Sequence, residues 1–591
     1  MPVEYYSDTK YDGPEGIVVA MDIGTTQSAV SFAHFIPKVH PQGQLVTNWP
    51  GQADWIAKTP SRVSYQNGTL RACGAEAAMN HENVAYWFKL HLHPALQSDS
   101  TSNSAGSNIP PLPVGVTIER VYADLMQYLM FHTKRFFEET TKGGVEIWTR
   151  LRSTLIVVLA TPNGWDIREQ AILRKAAIRA LLVTEESAGQ LLQFVTEAEA
   201  SVHYALAQDP CKWLRKKTVF SVIDCGGSTV DTTVYRCIWT KPLSLKETSP
   251  SECVQAGGVF VDQEVKEMLE RRLEGSPFGH PRVIQSIVDA FERELKPMFN
   301  GIIEEYPLEF GAPSDNNPSL GIHNGRITLS NQELKPIFDR VINKIVKGCS
   351  SVIISQNAQY VLIVGGFGES PYLKKILQQK LLPYDIELLT VGDSAKKAAA
   401  VGAIVKHIKQ FVVARATKAT FGGCVRQNYD ESLHGERKHT VQVYPDGKER
   451  VDGVFHMWIM KGTVLQGTFA HKLSYHVAWD AASTSKTELA SKLGEIGIEV
   501  FAWEGNGVPT WCKEEDGTVS RGMRLICTLN ANLSTLAGGL QIKNGPRGKR
   551  FYRVDYDVCV YFGGTQLRAK LEWKERGRYR EGPVTVMPYI S

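Results

Sequence analysis

The segment "FSVIDCGGSTVDTTVYRC", which begins at Phe220, places two carboxylates beside a glycine turn. An apolar run reaches Asp224, turns through two glycines, and meets Asp231 before a second apolar run begins. Successive backbone N–H groups of such a turn can cradle a phosphate, because glycine lets the chain approach it closely. Carboxylates would repel a bare polyphosphate, so the combination predicts a divalent cation between acid and phosphate.

A second acid–glycine turn lies near the amino terminus, in "MDIGTTQSAVSFA" around Asp22. It aligns without gaps with "IDCGGSTVDTTVY", which indicates a distant internal repeat. Magnesium prefers oxygen ligands, keeps several waters and takes few carboxylates beside substrate phosphates. We therefore expect Asp22, Asp224 and Asp231 to hold a hydrated magnesium ion. The hydroxyl groups expected to donate to the phosphates are those of Thr25, Thr26 and Thr229.

The overall composition excludes several functional classes. The 66 Lys and Arg against 62 Asp and Glu give a net charge of only +4, so nucleic acid is not an expected partner. We expect no secretory signal and no membrane span, since the longest apolar runs are strand-sized. The 10 cysteines contain no CxxC pair and favour buried free thiols in a reducing compartment, so we expect a cytoplasmic protein.

The elements that must position these turns alternate between helix and strand, which indicates an α/β architecture. A third glycine turn, in "YVLIVGGFGESPYLKKIL", follows an apolar strand and opens a helix. At 591 residues the chain exceeds the usual size of one domain. From about Phe411 the pattern changes to period-two alternation, which predicts a separate, mostly β carboxy-terminal domain.

The ordered set of turns resembles the actin-like ATPase superfamily, most closely the nucleotide-binding domain of heat-shock protein 70 chaperones. "DIGTTQSAV" and "DCGGSTVDTTV" are similar to its phosphate loops, and "VGGFGESPYL" is similar to its adenosine loop. "YWFKLHL" and "GGFGESP" resemble the divergent, truncated member-12 branch. The resemblance implies two lobes with duplicated ribonuclease-H-like cores. The implied domains are a polar tail at 1–15, lobe I at 16–205, lobe II at 206–410 and a β-rich domain at 411–591, which is either a degenerate substrate-binding domain or a new one.

The resemblance also implies residue roles around ATP or ADP and magnesium. Lys89 matches the lysine that orients the attacking water, Glu197 matches the glutamate that polarises it, and Asp224 completes the catalytic set. Asp22, Asp224 and Asp231 match the acids that hold magnesium through water. The implied nucleotide-binding positions are Gly24, Thr25, Thr26, Gly226, Gly227, Ser228, Thr229, Gly257, Gly258, Glu292, Lys296, Gly365 and Gly366.

Several residues depart from the family pattern. Ser228 replaces a glycine of the second phosphate loop, Glu369 replaces an arginine that stacks on adenine, and Lys396 stands near the place of an aspartate. Leu295 stands where another lysine is usual. Alternative interpretations remain open: Lys89 as a solvated lysine, and "AFERELKP" as an ordinary amphipathic surface helix. Given these departures, we expect ATP binding to be retained and ATP hydrolysis to be slow.

Three functions follow from these observations. The first is a slow ATPase switch of chaperone type, which couples nucleotide state to a protein client or partner bound through residues 411–591. The second is a nucleotide-sensing scaffold that binds ATP without turnover. The third is a sugar-kinase-like phosphotransferase, for which we identify no residue that could deprotonate a substrate hydroxyl. We expect a monomer that binds neither nucleic acid nor membrane.

Overall fold

The computed structural model describes residues 5–53, 55–78, 83–92, 109–208, 213–390, 398–466, 469–562, 568–575, 578–583 and 585–588. It confirms a mixed α/β fold with several sheets. Two compact units are present. The first comprises Met1–Trp165, Ile172–Lys246 and Ser251–Val412, and the second comprises Asp166–Ala171, Glu247–Pro250 and Val413–Ser591. No helix in the described ranges is long and apolar enough to cross a membrane.

The first sheet has the strand order β1-β4-β3-β2-β9-β10, with β5 on β3. The strands up to residue 208 are β1 Tyr5–Tyr6, β2 Gly16–Ile23, β3 Gln27–Phe35, β4 Gln42–Leu45, β5 Lys58–Pro60, β6 Arg62–Gln66, β7 Thr69–Cys73, β8 Val84–Tyr86, β9 Ile156–Thr161 and β10 Leu192–Thr196. The helices are α1 Gly74–Ala78, α2 Ile118–Thr140, α3 Gly144–Leu151, α4 Ile167–Arg179, α5 Ala188–Leu191 and α6 Glu197–Gln208. Strand β2 is buried along nearly all its length, as its continuous apolar sequence requires.

The second sheet runs β19-β18-β11-β12-β13, with β14 on β12. The strands here are β11 Val219–Cys225, β12 Val230–Thr240, β13 Leu243–Glu247, β14 Glu252–Val254, β15 Glu305–Glu309, β16 Ile322–His323, β17 Arg326–Ser330, β18 Tyr360–Val364 and β19 Glu387–Thr390. The helices are α7 Gly258–Leu273, α8 Pro281–Ala290, α9 Asn331–Ser355, α10 Pro371–Leu381 and α11 Ala398–Lys409. Buried apolar side chains of α7, α8, α9 and α10 form the core against this sheet.

The two sheets repeat one arrangement. In the first, β2 is antiparallel to β3 and parallel to β9, which is parallel to β10. In the second, β11 is antiparallel to β12 and parallel to β18, which is parallel to β19. The hairpin registers also match, since Asp22 lies opposite Ala29 and Asp224 lies opposite Asp231. The structure therefore agrees with the gap-free alignment of the two turns.

Helix α11 packs unusually closely against α6. A Cβ atom placed on Gly402 of α11 would lie 1.8 Å from the carbonyl oxygen of Ala200 on α6. Only glycine permits this approach, because any side chain would push the two backbones apart. The first eight residues of α11, mostly alanine and valine, are all buried. The contact fixes α6, the helix whose first residue is Glu197.

The second unit is built mainly from strands. They are β20 Val412–Ala416, β21 Thr420–Asn428, β22 Gln442–Val443, β23 Glu449–Ile459, β24 Val464–Gln466, β25 Phe469–Asp480, β26 Ile496–Trp503, β27 Met523–Ala531, β28 Ile542–Asn544, β29 Arg550–Phe562, β30 Arg568–Glu575, β31 Arg578–Pro583 and β32 Thr585–Pro588. Two short helices are α12 Glu431–His434 and α13 Lys486–Gly494. One sheet runs β22-β23-β21-β26-β27-β32 and another β25-β29-β30-β31, with β28 on β29. Both contribute apolar side chains to a shared core.

Candidate functional site

A cavity of about 650 Å³ lies within the first unit. It is bounded by the two matched turns, by the ends of β2 and β11, and by the segment that follows α8. The predicted site residues that line it are Asp22, Gly24, Thr25, Thr26, Lys89, Glu197, Asp224, Gly226, Gly227, Thr229, Gly258, Glu292, Lys296, Gly365 and Gly366. Residues predicted from segments more than 300 positions apart thus share one cavity.

Three predicted residues lie behind this lining. The hydroxyl of Ser228 hydrogen-bonds the hydroxyl of Thr25 over 2.7 Å and joins the two turns directly. Gly257 packs so closely on the second turn that a Cβ atom would lie 2.5 Å from the carbonyl oxygen of Gly227. Asp231 is 1% exposed, and its carboxylate accepts a hydrogen bond from the backbone N–H of Asn163 at 3.3 Å.

The glycines of the turns are required by close backbone approaches. In the second turn Gly226 N–H donates to the carbonyl oxygen of Thr229 at 2.9 Å. In the first turn a Cβ atom on Gly24 would lie 2.4 Å from the carbonyl oxygen of Gln27. Gly365 has a φ of +84°, and a Cβ atom there would lie 2.5 Å from Oδ1 of Asp224. The third glycine turn therefore packs onto the carboxylate of the second.

The cavity concentrates negative charge around Asp224. Burial, together with the nearby charges of Asp231 and Asp22, raises the pKa of Asp224 to about 6. A hydrogen bond donated by the Ser201 hydroxyl at 2.9 Å opposes this shift. A cation beside Asp224 would stabilise its ionised form and so offset both the cost of burying the charge and the repulsion from the neighbouring carboxylates. Among the described residues, no three His, Cys, Asp or Glu side chains are grouped to chelate an ion by themselves.

Lys89 forms a buried ion pair with Glu197, with 2.6 Å between Nζ and Oε1. The ammonium also donates to the carbonyl oxygen of Ile23 at 3.1 Å and lies 5.6 Å from the ring centre of Trp165. Burial raises the pKa of Glu197, and the Lys89 ammonium lowers it. Burial disfavours the charge of Lys89, but the acids around it outweigh burial and raise its pKa. Lys89 is 5% exposed, which contradicts the alternative of a solvated lysine.

Glu292 and Lys296 line the same cavity as Lys89. Helix α8 continues there into a single π-helical turn, Phe291–Leu295, a feature often found at functional sites. The ammonium of Lys296 lies 2.5 Å from Oδ2 of Asp262 and 3.9 Å from Oε1 of Glu292. Asp262 is fully buried, and burial raises its pKa to about 7 while Lys296 lowers it. A buried acid therefore holds Lys296 against the cavity wall.

The sequence interpretation missed several lining residues. Arg62 and Asp289 both line the cavity and form an ion pair of 3.2 Å. Lys58 and Arg293 add two further cations. None of these follows a glycine turn, so no local pattern marks them. Ser201 lies one helical turn after Glu197, and helical spacing is the signal that could have found it.

Two curated proteins are similar to this chain over most of its length. Heat shock 70 kDa protein 12B of Homo sapiens is 22% identical, and the alignment covers 75% of this chain and 76% of that protein. Heat shock 70 kDa protein 12A of Mus musculus is also 22% identical, with the same coverage of both chains. These matches support a divergent member-12-type branch of the heat-shock protein 70 family. No protein-family model matches the chain.

The residues that depart from the heat-shock-70 pattern differ in their relation to the cavity. Glu369 lines it, in a short 3-10 turn after Gly366. Leu295 is buried in the apolar core of the second sheet and does not line the cavity. Lys396 lies outside the described residues.

Proposed function

We propose that this chain binds ATP with magnesium in the cavity, hydrolyses it slowly, and couples nucleotide state to a protein partner bound through residues 411–591. The observation that supports this most is the pair of acid–glycine turns in matching register, joined by Thr25 and Ser228 and facing one cavity. The volume of about 650 Å³ lies within the usual range of small-molecule sites, about 300–1,000 Å³. The heat-shock-70 relatives make a nucleotide the preferred occupant.

The repeated sheets support a two-lobed actin-like architecture. An antiparallel hairpin followed by two parallel strands occurs twice, in β3-β2-β9-β10 and β12-β11-β18-β19. Duplicated ribonuclease-H-like cores require this repetition. We infer that residues 16–205 and 206–410 are lobes I and II, with the turns of each lobe holding the phosphates.

The described residues fit a magnesium-bound polyphosphate. Burial among like charges raises the pKa of Asp224, so its carboxylate lacks sufficient positive charge nearby. Close approaches at Gly24 and Gly365, which no side chain would allow, bring main-chain atoms to the lining of the cavity. Asp22, Asp224 and Asp231 would hold magnesium largely through water. Bound there, the ion would neutralise phosphate charge and align the phosphates for attack.

The chain's own groups would then act by positioning. The ion pair and the Ile23 carbonyl fix the Lys89 ammonium, which can face the terminal phosphate without reorganising. The Lys89 ammonium holds Glu197 as a carboxylate, which can accept a hydrogen bond from a water molecule and polarise it. Thr25 and Thr229 offer hydroxyl donors to the phosphates. Ser228 occupies space that a glycine would leave open, which favours slow turnover.

Thermal unfolding with magnesium and ATP tests the site. The wild-type midpoint should rise with nucleotide concentration, whereas Asp224→Asn should lose most of the magnesium-dependent rise. The matched control is Asp385→Asn, an exposed acid outside the cavity, which should keep the full shift. Equal stabilisation of Asp224→Asn and wild type would refute the site assignment.

The binding-only scaffold is the second candidate, and Ser228 and Glu369 favour it. A single-turnover assay with γ-labelled ATP separates it from the slow ATPase. Release of phosphate by wild type, abolished in Glu197→Gln with nucleotide binding retained, would exclude the scaffold. Retained binding without phosphate release from wild type would establish it.

A further inference from the structure

The hydroxyl group of Ser201 is directed at one carboxylate of the cavity. Ser201 lies on α6, is 1% exposed, and donates a hydrogen bond of 2.9 Å to Oδ2 of Asp224. A serine inside a helix often donates instead to the carbonyl oxygen four residues earlier, which here belongs to Glu197. A hydroxyl has one proton to donate, and this one is used on Asp224. The contact therefore stabilises the cavity carboxylate rather than the helix.

The backbone segments that carry the two groups are both held by packing. A Cβ atom on Gly402 would lie 1.8 Å from the Ala200 carbonyl oxygen, so α11 fixes α6 at the residue next to Ser201. Ser201 follows Glu197 by one helical turn, and both side chains line the cavity. Asp224 belongs to β11, a strand that is buried along its whole length. The hydrogen bond is therefore formed between two rigid elements.

The two carboxylate oxygens of Asp224 have different surroundings. Oδ2 accepts the hydrogen bond from Ser201. Oδ1 lies beside the third glycine turn, where a Cβ atom on Gly365 would come within 2.5 Å of it. Among the described residues, Ser201 is the one side chain that donates a hydrogen bond to Asp224. A single hydroxyl group therefore makes the two oxygens unequal.

We propose that Ser201 is a positioning residue that makes the cavity prefer magnesium to calcium, an inference that rests on the proposed binding of ATP with a divalent cation. With Oδ2 held by Ser201, Asp224 offers Oδ1 alone to the cation or to its bound water. One oxygen suits magnesium, which is small, requires octahedral geometry and keeps several waters. Calcium is larger and readily takes both oxygens of one carboxylate. The Ser201 hydroxyl therefore selects against the larger ion.

A hydroxyl group suits this role because it orients the carboxylate without neutralising it. A lysine or arginine at position 201 would pair with Asp224 and compete with a bound cation. The serine adds no charge, and its hydrogen bond to an ionised carboxylate belongs to the stronger, charge-assisted class. Hydrogen-bond partners that orient the acids of a metal site change metal affinity by about 10–100-fold when they are removed. An effect of this size on magnesium is expected from one serine.

Titrations with magnesium chloride and calcium chloride, followed by thermal unfolding of the full chain at saturating ATP, test this preference. Ser201→Ala should need about tenfold more magnesium than the wild type for half-maximal stabilisation. Its calcium requirement should not rise, because Asp224 then has both oxygens free for the larger ion. Ser201→Cys fills the same volume but is a weak donor, so it should behave like Ser201→Ala. Ser201→Thr keeps the hydroxyl and should retain the wild-type preference, so these two variants decide the question even if Ser201→Ala is poorly folded.

The matched control is Ser31→Ala. Ser31 is also buried, and its hydroxyl donates to the Ala400 carbonyl oxygen at 2.7 Å, but it does not line the cavity. This variant should lose stability without changing the ratio of the magnesium and calcium requirements. An unchanged ratio in Ser201→Ala and Ser201→Cys, with the wild type still stabilised by ATP and magnesium, would overturn the role of Ser201 alone. A wild type that ATP stabilises with neither cation would overturn the proposed function together with this inference.

Discussion

Lys89 carries its charge in a buried position, where nearby acids and a carbonyl oxygen stabilise it. Nζ is held by Glu197 at 2.6 Å and by the Ile23 carbonyl oxygen at 3.1 Å. Removing two charges from water costs about as much free energy as their mutual attraction provides. A buried ion pair is therefore weak evidence for a contribution to folding stability. Its value here lies in orientation, because both groups line the cavity with their donors and acceptors already fixed.

Replacing Lys89 should show how much the buried Glu197 carboxylate depends on the ammonium for its stability. Lys89→Met leaves Glu197 buried among acids, and we expect the free energy of unfolding to fall by about 3 kcal/mol. Urea denaturation at pH 7 measures the change. The control is Arg135→Met, which breaks an exposed pair with Glu139 on α2 and should cost no more than about 0.5 kcal/mol. If the two variants lose equal stability, the Lys89–Glu197 pair does not compensate a buried charge in the folded protein.

Helix α11 is the element that sets the position of α6, and through α6 the position of Glu197. Its Gly402 meets the Ala200 carbonyl at a distance that no side chain allows. The carboxy-terminal half of the same helix places His407 against the ring of Phe35, with 5.6 Å between ring centres. The packing of helix α11 therefore affects both the stability of the protein and the position of Glu197.

A larger side chain between α11 and α6 should lower both the stability of the protein and its binding of nucleotide. We expect Gly402→Leu to lower the free energy of unfolding by about 3 kcal/mol, because the helices must separate. It should also weaken stabilisation by magnesium and ATP, since Glu197 moves with α6. Gly189→Ala is the control: a Cβ atom there meets nothing within 4 Å, so stability should change by less than about 0.5 kcal/mol. A fully stable Gly402→Leu would contradict the close packing of the helices.

His407 should make stability depend on pH. Burial lowers its pKa to about 4, and Lys406 adds to the shift. Its folded pKa lies below the unfolded value of about 6.5, so acid protonates the unfolded chain first and stability falls as pH drops below 6.5. Between pH 7.5 and 5.5 the loss from this residue should be about 1 kcal/mol.

The variant His407→Phe removes this titration while keeping an aromatic ring beside Phe35. Urea denaturation at both pH values, for wild type and variant, isolates the contribution as a difference of differences. We expect the wild type to lose about 1 kcal/mol more than the variant on acidification. Identical losses would show that His407 protonates as easily in the folded protein as in the unfolded chain.

Across the whole molecule, the parts that could be predicted from sequence are those with local patterns. The acid–glycine turns at Asp22 and Asp224 can be recognised from a few consecutive residues. Their matching hairpin registers follow because the two turns align without gaps. The Lys296–Asp262 contact joins residues 34 positions apart, and the contact of Arg62 spans 227 positions. No local spacing encodes such pairs, because the packing of separate segments creates them. The π-helical turn after α8 likewise retains the amphipathic pattern of an ordinary helix.

The proposed coupling of nucleotide state to the carboxy-terminal region can be tested on the full chain. Two compact units should give two calorimetric transitions. Val558→Ala, in the apolar core of the second unit, assigns one of them by lowering it. Saturation with magnesium and ATP at 100 times Kd should stabilise the first unit by about 2.7 kcal/mol.

If the nucleotide also changes the second unit, as a switch requires, the transition assigned by Val558→Ala should move as well. Asp224→Asn should abolish both shifts, because each depends on the same bound nucleotide. A shift confined to the first unit would leave nucleotide binding in place and contradict the coupling. Since a ligand moves an equilibrium only through its differential affinity for two states, the size of the second shift measures how strongly ATP biases the carboxy-terminal unit.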